Sequence, residues 1–121
     1  MEINANEIEV NGVKYVPKSS QKPITKDGLT QCIVRTYSAG VFLAWVDYES
    51  CEFFNCRLVD AIRVWKWAGA FTLSALARSG TTKPNECRFS QTVPEQRINR
   101  VIEMIPVTQN ALTTFESIER G

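Results

Sequence analysis

Two tryptophans alternate with basic residues in the stretch DAIRVWKWAGAFTLSALARSG, which covers residues 60–80. Residues two apart lie on one face of a strand, so Arg63, Trp65 and Trp67 are predicted to share a face. A nucleobase stacks on an indole with about 1–3 kcal/mol per base, and the planar guanidinium of arginine suits a phosphate. The alternative is that both indoles belong to the core, since tryptophan is highly buried on average.

The segment RSGTTKPNECRF, residues 78–89, gathers further groups that a nucleotide needs. It supplies hydroxyl, amide and cationic donors for phosphate and ribose, and a phenyl ring for the base. The candidate residues are Arg78, Thr82, Lys83, Asn85, Arg88 and Phe89. Loops on a rigid scaffold commonly carry binding groups, although an ordinary polar connection after a helix is the alternative. We expect Arg88 and Phe89 to contribute most to recognition.

A third group of candidates lies in PEQRINR, residues 94–100, where Arg97 and Asn99 are predicted to share a strand face. Solvated arginines on an edge strand are the alternative, because charged side chains there discourage edge pairing. Together with the loop, the predicted ligand-binding set contains Arg63, Trp67, Phe71, Asn99 and Arg100.

The charge of the chain is unevenly distributed, although its net value is only +1. Residues 57–100 hold eight basic and three acidic side chains, a net of +5, and the rest holds six basic and ten acidic, a net of −4. This asymmetry favours a localised anion-binding surface, with scattered solvated arginines as the alternative. Bulk binding of polymeric nucleic acid is not indicated.

The absence of histidine removes the commonest acid–base group and excludes serine–histidine and cysteine–histidine nucleophiles. The carboxylates of Asp47, Glu49 and Glu52 are predicted to be solvated near a strand end, so no acid–base pair stands out. No Gly-rich phosphate loop and no Cys-x-x-Cys pair occurs, so neither a cofactor nor a zinc site is expected. With no export signal, the four cysteines are predicted to be free thiols in a soluble intracellular protein.

The elements that must position these residues follow from turn signals and periodicity. Asn11-Gly12 predicts a hairpin with strands near 6–10 and 13–17, and residues 17–28 are predicted to be a loop. A second hairpin is predicted to turn at residues 38–40. A strand or two is predicted from 52 to 67, with a kink near 59–61.

The C-terminal half mixes helices with strands. A helix is predicted after Thr72 and before Gly80, and a second over 109–118 with Thr108 as its cap. Between them, residues 81–96 are predicted to form a turn-rich connection and 97–107 a final strand stopped by Pro106. The predicted fold is α+β, an antiparallel sheet of about five to six strands with two helices in the C-terminal half. It forms one domain, in which 1–30 is an N-terminal hairpin and basic loop and 31–121 is the core.

Three stretches carry a resemblance to a known family: IVRTYSAGVF, AIRVWKWAGAFTLSALARSGTTKPNECRFS and VIEMIPVT. Over about residues 32–118 the chain is similar to the phage Thoeris anti-defence proteins, of the first-described sponge type. The shared elements are Trp-x-Trp-x-Gly-Ala, Ser-x-Leu-Ala, Lys-Pro-x-x-Cys-x-Phe and Glu-x-Ile-Pro, in that order. Related sequences carry Arg-Arg-Leu-Trp-Tyr-Trp where this chain has Ile-Arg-Val-Trp-Lys-Trp at residues 62–67.

This resemblance implies a protein of the host cytoplasm that is not an enzyme. Such a sponge sequesters a cyclic ADP-ribose isomer without cleaving it and so starves the effector of a bacterial defence system. The resemblance also implies separate sites for cyclic dinucleotides or trinucleotides, and homodimers that assemble into hexamers, with no membrane partner. Two alternatives stay open from the residues: a phosphodiesterase-like enzyme that degrades the same signal, or a structural oligomerisation domain.

Overall fold

The computed structural model of the protein describes residues 8–10, 13–15, 23–52 and 54–121. Strand β1 (Ile8–Val10) pairs antiparallel with β2 (Val13–Tyr15), with Val10 opposite Val13. The hairpin predicted from the Asn-Gly signal is therefore confirmed. The predicted outer ends of its strands, and residues 17–22 of the predicted basic loop, lie outside the described residues.

The last part of the predicted loop is a strand. Strand β3 (Thr25–Lys26) pairs antiparallel with the start of β4 (Leu29–Thr36). Between them Asp27 and Gly28 both have positive φ, 52° and 79°. The loop prediction is wrong for these residues because Asp-Gly supplies a two-residue hairpin turn whose twist suits the flanking strands.

The centre of the sheet is antiparallel, in the order β4, β5 (Val41–Val46) and β6 (Cys56–Lys66). The hairpin predicted around residues 38–40 is confirmed by the pairing of Arg35 with Val41. The predicted kink in β6 is also confirmed. Asp60 has a φ of 49°, and the register with β5 shifts opposite it, as a β-bulge requires.

The predicted final strand is in fact two strands, β8 (Val93–Ile98) and β9 (Val101–Pro106). They are joined at Asn99-Arg100, and Arg100 has a φ of 56°. The residues before 97 that were predicted to be a connection therefore belong partly to β8. Strand β8 pairs with β6 and β9 pairs with β4, on opposite sides of the central sheet. Because two residues join these strands, the sheet must curl.

A parallel pair makes the sheet mixed rather than purely antiparallel. Strand β7 (Arg88–Phe89) pairs antiparallel with β6 and parallel with β10 (Glu119–Arg120). The curled sheet β3–β10 has eight strands, so the predicted five to six antiparallel strands are corrected. Three of the strands have only two residues each, too short to show the alternation that identifies a strand in a sequence.

Two helices lie in the C-terminal half, as predicted. Helix α1 (Leu73–Ser79) begins after Thr72, whose hydroxyl accepts from the Ala75 amide at 3.0 Å. Helix α2 (Gln109–Phe115) begins after Thr108, whose hydroxyl accepts from the Ala111 amide at 3.2 Å. Helix α2 ends before the predicted residue 118, although Ile118 is buried as the predicted stripe requires.

Alternation along the central strands produces a core on each face of the sheet. Both helices pack on the outer core, and the inner core lies inside the curl. The outer core contains Ile33, Leu43, Val64, Leu76, Ala77, Cys87, Phe89, Val107, Ala111, Phe115 and Ile118. The inner core contains Cys32, Val34, Phe42, Ala44, Val46, Cys56, Leu58, Ala61 and Ile98. Strands β4 and β5 are thus largely buried on both faces, whereas β6 exposes Arg57, Asp60, Arg63, Trp65 and Lys66.

The prediction of four free thiols is corrected, because Cys51 and Cys56 form a disulfide. The β5–β6 connection brings these two residues together at a Cα–Cα distance of 5.1 Å, within the range that a disulfide spans. Cys32 and Cys87 are free and buried. Spacing along the chain could not distinguish a bridged pair from the other two thiols.

We expect thiol titration to separate these cysteines. In denaturant without reductant, two thiols should react, and reduction beforehand should raise the number to four, since one disulfide is present. In the native protein at pH 8 both free thiols should be nearly inert. Burial holds Cys32 in its protonated form by raising its pKa to about 12, and the thiolate is the reactive species. Four reactive thiols in unreduced, denatured protein would contradict the disulfide.

Candidate ligand-binding cleft

A cleft of about 440 Å³ opens on the outer face of the curled sheet, at the rim beside α1. Its floor is the paired strands β4 and β9, and its wall is the connection from β6 into α1. The lining residues are Arg35, Trp67, Phe71, Thr72, Leu73, Ser74 and Glu103. The volume lies within the range of about 300–1,000 Å³ usual for small-molecule sites.

Two aromatic side chains form the wall of this cleft. The half-buried Trp67 lies just beyond the end of β6 and packs against the outer core, so its indole is firmly held. Phe71 lies just before the cap of α1, and its side chain is fully exposed, at 100%. The cleft thus combines a fixed ring with an open one, which is an arrangement suited to holding a flat ligand.

The turn that separates the two rings depends on Gly69, whose φ is 80°. Its position is fixed by the loop that follows α1. The Thr81 hydroxyl donates to the Ala68 carbonyl at 2.5 Å, and the Cys87 sulfur accepts from the Ala68 amide at 3.4 Å. The Thr82 amide donates to the Gly69 carbonyl at 3.4 Å. The loop over residues 80–87 therefore acts as a clamp on the wall of the cleft.

A charged pair crosses the floor of the cleft. Arg35 of β4 and Glu103 of β9 are register partners, and 3.9 Å separates a guanidinium nitrogen from a carboxylate oxygen. Their side chains are 52% and 40% exposed, so solvent screens the pair. This floor offers a ligand one cationic donor group and one acceptor group side by side.

The predicted recognition role of Phe89 does not fit its position. Its side chain is 0% exposed. Its ring centroid lies 5.5 Å from that of Phe115, and the Arg120 guanidinium lies 5.1 Å from its centroid. Burial also lowers the pKa of Arg120, whose Nη1 is buried without a hydrogen-bond partner among the described residues. With both neighbours in place, Phe89 has no face open for a base.

Arg88, the other residue expected to contribute most to recognition, already donates hydrogen bonds within the loop. Its Nη1 donates to the Cys87 carbonyl at 2.8 Å and to the Asn85 carbonyl at 3.1 Å, and Glu119 lies 3.8 Å from its Nε. Lys83 has a carboxylate of Glu86 at 3.9 Å. Many of the loop's polar groups are therefore already bonded, either within the loop or in the clamp on the wall of the cleft.

The remaining predicted residues are dispersed over other surfaces. Arg63 lines a separate cleft of about 480 Å³ with Ser90, Gln91 and Gln96, and its guanidinium lies 4.8 Å from the Phe42 ring centroid. Asn99 borders a hollow of about 350 Å³, and the Arg100 guanidinium lies 5.5 Å from the Tyr37 ring centroid. Arg78, Thr82, Lys83 and Asn85 are exposed and do not line the aromatic cleft.

Of the predicted set, the aromatic cleft therefore brings together only Trp67 and Phe71. The sequence interpretation missed Arg35 and Glu103, which face one another only because β9 pairs with β4. It also missed Thr72 and Ser74, although Thr72 was recognised as a helix cap. The pairing of strands so far apart in the chain left no local signal that could have identified the floor.

Residues 23–52 and 54–121, with the two short N-terminal strands, contain no cluster of side chains able to hold a metal ion. Neither helix among these residues has the length and apolar character needed to cross a bilayer.

The curled mixed sheet with two helices on its outer face defines an α+β protein with an aromatic cleft at its rim. The chain belongs to the family described as a domain of unknown function, DUF6948, which matches residues 29–115. No curated protein and no solved structure matches the chain. The family match extends from the start of β4 to the end of α2 and includes every residue that lines the cleft.

Proposed function

We propose that this protein binds a small anionic nucleotide in the aromatic cleft and holds it without cleaving it. The observation that carries the proposal is that Trp67, Phe71 and Arg35 line one cleft. A nucleotide base has a flat face for the rings, and its phosphate suits an arginine. The fully exposed Phe71 ring gains most from a base that covers it, because apolar area then leaves water.

Retention without turnover is supported by what lines the cleft. Its ionisable side chains are one carboxylate and one guanidinium, and the chain contains no histidine. Cleavage of a phosphate ester or glycosidic bond by general catalysis uses an acid and a base held on either side of the reacting atoms. The cleft offers a single group of that kind, which favours a binding protein over the phosphodiesterase-like alternative.

The identity of the ligand in this proposal comes from the resemblance to the phage anti-defence sponges. We propose a cyclic ADP-ribose isomer as the captured signal, the host cytoplasm as the place of capture, and inhibition of a Thoeris-type defence as the result. A homodimer that assembles into a hexamer, and a second ligand class of cyclic dinucleotides or trinucleotides, belong to the same proposal. For that second class we propose the cleft at Arg63, since no aspartate or glutamate side chain lines it.

The test is a capture experiment with cyclic ADP-ribose isomers. The protein is incubated with each isomer, unbound ligand is removed, the protein is heat-denatured, and the released material is analysed. Intact ligand is expected from the wild type. Linear products that accumulate with time would instead identify an enzyme. If no isomer and no cyclic oligonucleotide is retained, the proposal is overturned. If the protein that retains no ligand is also an oligomer in solution, that result favours the structural oligomerisation domain.

A substitution assigns the retained ligand to the aromatic cleft. Phe71→Ala is expected to weaken binding by about fivefold or more, because one stacking contact contributes about 1–3 kcal/mol. Its folding stability should stay within about 0.5 kcal/mol of the wild type, since the ring is fully exposed. Tyr48→Ala, which removes another exposed aromatic ring outside the cleft, is the matched control and should bind normally. Equal retention by wild type and Phe71→Ala would place the ligand elsewhere.

A further inference from the structure

Glu103 provides an open hydrogen-bond acceptor in the floor of the aromatic cleft. Its closest cationic partner is Arg35, and the 3.9 Å between their nearest charged atoms is longer than a hydrogen bond. No other described residue donates a hydrogen bond to this carboxylate. Its side chain is 40% exposed, so a ligand in the cleft can reach it.

A carboxylate at this position restricts what a nucleotide can place beside it. An ionised carboxylate accepts hydrogen bonds and donates none. It repels phosphate oxygens and carbonyl oxygens, and among the residues that line the cleft only Arg35 carries a positive charge that could offset this. The part of the ligand that lies against Glu103 must therefore carry N–H or O–H groups, and its phosphates must lie on the Arg35 side of the pair or in solvent.

The two rings indicate which part of the ligand this is. Both rings and Glu103 line the same cleft, so a base stacked on Trp67 or Phe71 can direct one edge toward the floor pair. The edge of adenine carries an exocyclic amino group, which donates, whereas hypoxanthine carries a carbonyl oxygen at the same ring position. A site built to accept a hydrogen bond from the adenine amino group leaves its carboxylate without that bond when hypoxanthine binds. Such a site therefore binds hypoxanthine more weakly than adenine.

We infer that Glu103 is a specificity-determining residue that accepts a hydrogen bond from the exocyclic amino group of an adenine-type base. The inference rests on the proposed nucleotide binding and deepens it, because it names the base and the atom that is recognised. Arg35, which lies beside Glu103 on the floor, is the group that receives the phosphates.

The experiment compares two ligands that differ only at the base. Binding of a cyclic ADP-ribose isomer and of its inosine counterpart with the same linkage is measured by calorimetry, for the wild type and two variants. The wild type should bind the adenine ligand about tenfold or more tightly, since a hydrogen bond to a charged group contributes about 1.5–3 kcal/mol. Glu103→Gln should reduce this preference to within about threefold, because a side-chain amide can donate to the hypoxanthine carbonyl.

The control variant Arg35→Gln should weaken both ligands together and leave their ratio unchanged. Equal wild-type affinity for both ligands overturns the inference and leaves the proposed function standing, because the shared ribose hydroxyls would then be the donors. An unchanged preference in Glu103→Gln also overturns it. If the wild type binds neither ligand, the proposed function fails and the inference fails with it.

Discussion

Replacing Phe89 with alanine is expected to lower the free energy of unfolding by about 3–5 kcal/mol, the usual cost of removing a buried phenyl ring. Its side chain is fully buried in the outer core, against Phe115 and beneath Arg120. The variant loses the transfer free energy of the ring and leaves a cavity that strand β7, only two residues long, cannot refill by itself. Any protein that remains folded should still retain nucleotide, since the ring lies outside the cleft.

Urea denaturation of Phe89→Ala and Phe89→Leu measures this effect. The leucine variant keeps the site apolar and most of its volume, so it should lose much less stability than the alanine variant. Capture of ligand by both variants is then compared at a temperature where each is folded. A stable Phe89→Ala protein that no longer retains ligand would show that this ring stacks on the base, contrary to its burial.

Replacing Gly69 with alanine is expected to destabilise the protein by about 2–5 kcal/mol, from two separate causes. The φ of 80° costs a residue with a Cβ about 1–2 kcal/mol. A Cβ at Gly69 would also lie 2.7 Å from the backbone nitrogens of Thr82 and Lys83, and 2.5 Å from the Thr81 hydroxyl. Backbone atoms cannot rotate away, so the clamp must shift, which costs a further 1–3 kcal/mol or so.

The chain contains a matched control for the backbone cost alone. Gly28 has a φ of 79°, and a Cβ there would meet no atom within 4 Å. Gly28→Ala should therefore lose only about 1–2 kcal/mol, and the difference between the two variants measures the crowding at the clamp. Thermal unfolding and ligand capture are measured for both. We expect Gly69→Ala alone to lose ligand, because its turn separates Trp67 from Phe71; equal effects of the two substitutions would refute the clamp.

Local signals in the sequence predicted much of the fold. Asn11-Gly12, the cap at Thr72 and the glycine at Gly80 each depend on a few neighbouring residues, and the structure confirms all three elements. The kink predicted near residues 59–61 is observed as a bulge at Asp60. The Asp27-Gly28 turn is a local signal that the loop prediction missed, whereas the errors in the C-terminal half arose where pairing is not local. The parallel partner of β7 and the division of β8 from β9 are decided by distant strands and by a left-handed Arg100.

The candidate site was predicted less well than the fold, because residue type does not reveal which groups are already occupied. Arg88 and Phe89 have the chemistry of a nucleotide site, but one is bonded to loop carbonyls and the other is buried. Trp67 and Phe71 remained available because a turn at Gly69 holds them at the rim. Arg35 and Glu103 became partners only through the β4–β9 pairing, which no spacing in the sequence predicts.

The two-residue link at Asn99-Arg100 has a consequence for how the protein folds. Strands β8 and β9 dock on β6 and β4, at opposite edges of the central sheet, yet the link prevents either from moving far without the other. We therefore expect the last step of folding to be concerted closure by this pair, and not the sequential addition of single strands. Such closure waits for contacts between distant parts of the chain, which is characteristic of slow folding on the scale of milliseconds to seconds. The floor of the cleft, which pairs β4 with β9, then forms only when the sheet has closed.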